Sequence, residues 1–132
     1  MPETILRAEK DLARSWLALL VWGPPLIALL ATAPADLPSP TRGIIWSLAL
    51  LWAGIACIVN ASRSGRVHCH ITGPFFLLLA ATSYLYGVGV MPLGAHGWLW
   101  IGGGLAVGAP LLTVLPERIW GQYSSRSSDR CC

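Results

Sequence analysis

The chain has 132 residues, 55% of them hydrophobic and only 11% charged, and carries a net charge of +3. Four stretches, residues 15–35, 43–61, 74–91 and 97–115, contain no Asp, Glu, Lys, Arg or His. Helices that are apolar all round need lipid or much partner surface around them, and a chain this short offers too little surface, which excludes an ordinary soluble domain.

The stretches are 18 to 21 residues long. At ~1.5 Å per residue they reach roughly 27–32 Å, the thickness of a hydrocarbon core of about 30 Å. The reading is an all-α integral membrane protein with four transmembrane helices. Residues 1–14 form an N-terminal segment, 15–115 the membrane domain with a loop at 62–73, and 116–132 a flexible tail.

Orientation follows from the basic residues, which resist translocation. Arg7, Lys10 and Arg14 precede the first span, Arg63 and Arg66 lie in the 62–73 loop, and Arg118, Arg126 and Arg130 follow the last span, while only Arg42 falls on the other side. Eight of the nine Lys and Arg residues therefore predict both termini in the cytoplasm of an inner membrane, N-in and C-in. Trp16 and Trp120 at one boundary, and Trp46, Trp98 and Trp100 at the other, suit the headgroup level.

The first span ends on Ala33-Pro34-Ala35, which resembles a signal-peptide cleavage site. Glu3, Glu9 and Asp11 make the preceding segment nearly neutral, and Pro24-Pro25 interrupts the apolar run, so the span is kept. In the second span Ala49, Ala53, Cys57 and Ala61 recur every four residues, the mark of close helix packing in lipid. Asn60, one turn from Cys57, is expected to hydrogen-bond to the loop or across the bundle. Cys57 is itself a thiol about 6 Å below the cytoplasmic boundary at helical rise.

The 62–73 loop carries His68-Cys69-His70. Cytoplasmic thiols are expected reduced, and thiols beside imidazoles suit soft or borderline ions such as Cu, Zn or Hg. In an extended loop His68 and His70 point to one side and Cys69 to the other. Arg63 and Arg66, followed by Thr72 or Gly73 as the cap of a helix beginning at Pro74, offer a second use of the same loop, as an anion or lipid site.

The third span offers Tyr84 and Tyr86 but no ionisable residue at membrane depth, which argues against a self-contained proton-coupled pump. In the fourth, Gly102-Gly103-Gly104 lacks the Lys-Ser/Thr ending of a phosphate loop, and Gly104 with Gly108 forms a G-x-x-x-G packing signal. Pro110 is expected to kink this helix. Cys131 and Cys132 end the tail, whose 17 residues span roughly 23 Å as a flexible chain, enough to bring the pair to the loop as a mobile acceptor.

Asn60 through Cys69 and Thr72-Gly73-Pro74-Phe75-Phe76, with Gly94-Ala95-His96-Gly97-Trp98 further on, resemble a family of small bacterial multi-pass membrane proteins that share a G-R-x-H-C-x-x-T-G-P-F loop. The resemblance implies a membrane location. Members carry a Cys where this chain has Ser64. Four spans with cysteines in a cytoplasmic tail are also similar to four-helix mercury-uptake proteins, although the cysteine pair that those carry in their first span is replaced here by Trp22-Gly23-Pro24-Pro25.

The expectation is a non-enzymatic membrane protein that binds or relays a soft metal ion through His68, Cys69, His70, Cys131 and Cys132, with Cys57 as a further thiol. The alternative is a structural or accessory subunit of a larger membrane complex, with the basic loop on anionic lipid. The bilayer and another membrane subunit are the partners considered, and nucleic acid is not.

Overall fold

Long apolar runs separated by Pro- and Gly-rich joints produce helices and short turns, and little else. The structure is a computed structural model that describes residues 16–120. Among these residues it is all-helical, with α1 at Leu17–Thr32, α2 at Ser39–Ser64, α3 at Val67–Gly87 and α4 at Gly97–Trp120. α2 and α4 are long and apolar enough to cross a membrane, and α1 is a shorter apolar helix.

The prolines are absorbed within the helices. α1 runs through Pro24 and Pro25. Pro25 has no N–H for the Val21 carbonyl, and the Trp52 indole of α2 donates to that carbonyl at 2.8 Å instead. α4 likewise continues through Pro110 and Pro116. The Leu112 carbonyl left without a partner by Pro116 lies 3.5 Å from the Thr72 hydroxyl of α3.

α2 and α3 form the central pair, with α1 packed mainly on α2 and α4 mainly on α3, while the backbones of α1 and α4 stay apart. The pair approaches closely because glycines face each other. A Cβ on Gly43 would stand 2.7 Å from the Gly87 Cα, and one on Gly54 would stand 3.1 Å from the Gly73 carbonyl oxygen. The stripe Ala49, Ala53, Cys57 and Ala61 is buried, as its four-residue spacing requires.

The G-x-x-x-G of α4 behaves differently at its two positions. A Cβ on Gly108 would meet the Phe75 ring at 2.5 Å, whereas Gly104 faces open space. Gly104 is therefore not a packing position, and α4 meets α3 at Gly97, against Tyr86, and at Gly108, against Phe75.

The largest departure from the sequence reading is at residues 62–73. α2 extends to Ser64, and Gly65 ends it in the left-handed region at φ 70, its N–H donating to the Ala61 carbonyl at 2.8 Å. α3 then begins at Val67, seven residues before Pro74, so the expected long loop shrinks to Gly65 and Arg66. Pro74 sits inside the helix and Thr72 and Gly73 do not cap it; the Thr72 hydroxyl donates back to the His68 carbonyl at 2.7 Å.

Candidate functional site

The short turn at Gly65-Arg66 places the end of α2 and the start of α3 side by side, and this brings two thiols together. Cys57 of α2 and Cys69 of α3 are 2% and 0% exposed, both are free, and they share one cluster with Ala61 against Trp22 and Phe76. The Cys57 and Cys69 side chains pack together within that cluster. The Asn60 amide donates to the Cys69 sulfur at 3.5 Å, from a side chain that is itself fully buried. Asn60 thus bonds across the pair, one of the two partners its position allowed.

His68 occupies the first turn of α3 beside Cys69, with its Nε2 3.3 Å from the Cys69 sulfur. Its Nδ1 lies 2.6 Å from Glu117 Oε1, so the carboxylate holds the Nδ1 proton and leaves Nε2 facing sulfur. Arg66 Nε donates to the same carboxylate oxygen at 2.9 Å. The result is a chain from Arg66 through Glu117 and His68 to Cys69 and Cys57, built from α2, the turn, α3 and the end of α4.

Electrostatics follow the geometry. The neighbouring Cys57 thiol lowers the Cys69 pKa; burial opposes this, and the contacts with His68 and Asn60 reinforce it. Burial alone would lower the His68 pKa, but the Cys69 sulfur and the Glu117 carboxylate outweigh it and raise the value. Both directions favour a thiolate beside an imidazolium.

The helical start of α3 separates the expected ligand triplet. His70 is exposed and turned away from Cys69, so His68 and His70 do not share a side as they would in an extended loop. Arg63 is exposed, whereas Arg66 is occupied by Glu117. Thr72 and Gly73 are buried within α3, so no helix start is present there to receive an anion. Cys131 and Cys132 lie outside the described residues. Glu117 is the residue that sequence reasoning missed; its signal is a lone carboxylate just beyond the charge-free run that ends at residue 115.

Among the described residues, no three His, Cys, Asp or Glu side chains are arranged to hold a metal ion. Zinc, which takes about four ligands, is poorly served by such a set. Two adjacent sulfurs suit soft ions content with two thiolates, chiefly Cu(I) and Hg(II). Comparison with protein-family models, curated proteins and solved structures finds no match to this chain.

Proposed function

We propose that this is a four-span membrane protein with both termini in the cytoplasm, and that Cys57 and Cys69 bind a soft ion of the Cu(I) or Hg(II) type at its cytoplasmic edge. The observation that carries the proposal is the contact of two buried free thiols, one of them backed by an imidazole whose other nitrogen is held by a carboxylate. Carboxylates orient histidines beside metal sites in this way, and here the arrangement fixes Nε2 toward the Cys69 sulfur. Each thiol must lose its proton to bind: His68 beside Cys69 is placed to receive one, and the other is released to solvent as the ion binds. Cys131 and Cys132 serve as acceptors in this reading, and His70 has no part in it.

Titration of purified protein with Cu(I) against a competing chelator, under reducing conditions in mild detergent, tests the assignment. Cys57→Ser and Cys69→Ser should each weaken binding strongly. Glu117→Gln should weaken it by about 10–100-fold, and His70→Asn should leave it unchanged. Equal binding by all four variants would remove the site.

A second reading, an accessory subunit of a larger membrane complex, is favoured by α4, which packs mainly on α3 and leaves Leu99, Trp100 and Val107 exposed. A stable partner that co-purifies with metal-free protein would support it.

A further inference from the structure

The backbones of α1 and α4 stay apart, and a groove of about 610 Å³ lies between them, lined also by Trp46, Leu50, Ala53 and Phe76. The volume falls in the roughly 300–1,000 Å³ range of small-molecule sites. Every lining residue is apolar or Gly, with no charged side chain among them. Along α1 the wall runs from Trp22 to Ala33, roughly 16 Å at ~1.5 Å per residue. That is about half of a 30 Å hydrocarbon core, the depth of one leaflet.

One end of the groove carries charge. Trp46, in the groove wall, meets Trp98 edge-on at 5.6 Å, and the Arg42 guanidinium lies over the Trp98 ring, 5.5 Å from its centroid. Arg42 also donates through one terminal nitrogen to the Ala35 carbonyl, two residues beyond Ala33 of the lining. Its Nε is buried without a hydrogen-bond partner. Among the described residues no carboxylate pairs with it, the ion pairs there being those of Arg66 and His68 with Glu117. The N-terminus of α2 adds to the positive field, having no side-chain cap and no acid in its first turn. A half-buried cation without a carboxylate partner, beside an apolar slot about one leaflet deep, is complementary to a headgroup phosphate above an acyl chain.

We infer that the α1–α4 groove holds an acyl chain of an anionic phospholipid whose phosphate is bound by Arg42. The assignment rests on the membrane reading and is independent of the thiol pair. It places a specific lipid on the face opposite the cytoplasmic site, where Arg42 is the lone basic residue. The lipid chain fills the space that α1 and α4 leave, and its phosphate supplies the counter-charge that Arg42 lacks among the described residues.

The test is tryptophan fluorescence of full-length protein in phosphatidylcholine vesicles containing a rising fraction of phosphatidylglycerol with brominated chains, since Trp22 and Trp46 line the groove. Quenching should saturate at a low fraction of brominated phosphatidylglycerol, and brominated phosphatidylcholine should not reproduce that component. Arg42→Gln should abolish the headgroup preference and Arg42→Lys should largely restore it. Ala106→Phe, at an exposed position of the lining, should remove the saturable component by filling the slot. Quenching that follows the brominated fraction alone, or saturates equally with both headgroups, would overturn the inference, as would a saturable component that survives Ala106→Phe. Unchanged elution and thermal unfolding in detergent should show that Arg42→Gln and Ala106→Phe are folded, and copper titration of the unsubstituted protein tests the metal assignment separately.

Discussion

Glu117 accepts the Nδ1 proton of His68 at 2.6 Å, across 49 residues of chain. This pairing joins the end of α4 to the start of α3, and it turns the imidazole so that Nε2 faces Cys69. It depends on α4 continuing through Pro116 and on α3 beginning before Pro74, neither of which proline rules favour.

The first prediction concerns pH. Glu117 favours protonated His68, and protonated His68 favours thiolate at Cys69, whose pKa lies below the ordinary thiol value. The thiolate should persist as pH falls through the range where free thiols are already neutral. Glu117→Gln removes the charge that offsets the burial of His68, so the imidazole loses its proton at lower pH and Cys69 gains one at higher pH. Thiolate ultraviolet absorbance, taken as the difference from Cys69→Ser, should titrate at higher pH in Glu117→Gln. An identical curve would show that the carboxylate does not govern the sulfur.

The second concerns packing. Gly43→Ala drives a Cβ to 2.7 Å from the Gly87 backbone and should destabilise the bundle by about 1–3 kcal/mol. Gly104→Ala meets nothing and removes a flexible residue from a helix, so it should be neutral or stabilise by about 0.5–1 kcal/mol. Denaturation in mixed micelles checks both; equal effects would mean that α2 and α3 are not in close contact at Gly43.

Part of this architecture was legible beforehand, for identifiable reasons. The stripe Ala49, Ala53, Cys57 and Ala61 announced its buried face because a four-residue repeat has one reading on a helix in lipid. Residues 62–73 misled because Thr72-Gly73-Pro74 looks like the start of a helix and His68, Thr72 and the arginines look like a loop. Gly65 actually ends α2 and α3 tolerates Pro74. Cys69 and His68 were therefore expected in the right region with the wrong geometry. Glu117 escaped because its partners, Arg66 and His68, are brought to it only by tertiary packing, and no spacing in the chain encodes them.

Topology supplies the third prediction. Asp36 is exposed between α1 and α2, beyond the opposite end of α2 from Arg63. In a chain otherwise free of cysteine, Asp36→Cys should react with an impermeant maleimide on intact cells. Native Cys131 and Cys132 should react only after the membrane is opened. The reverse pattern would invert the orientation and place the thiol pair outside.

The central claim is that Cys57 and Cys69 together hold a soft ion, and X-ray absorption of the Cu(I)-loaded, detergent-solubilised protein addresses it directly. The proposal predicts a first shell dominated by two sulfur scatterers, reduced to one with added light-atom scattering in Cys57→Ser. A first shell of nitrogen and oxygen alone, or a sulfur shell unchanged by Cys57→Ser, would contradict it.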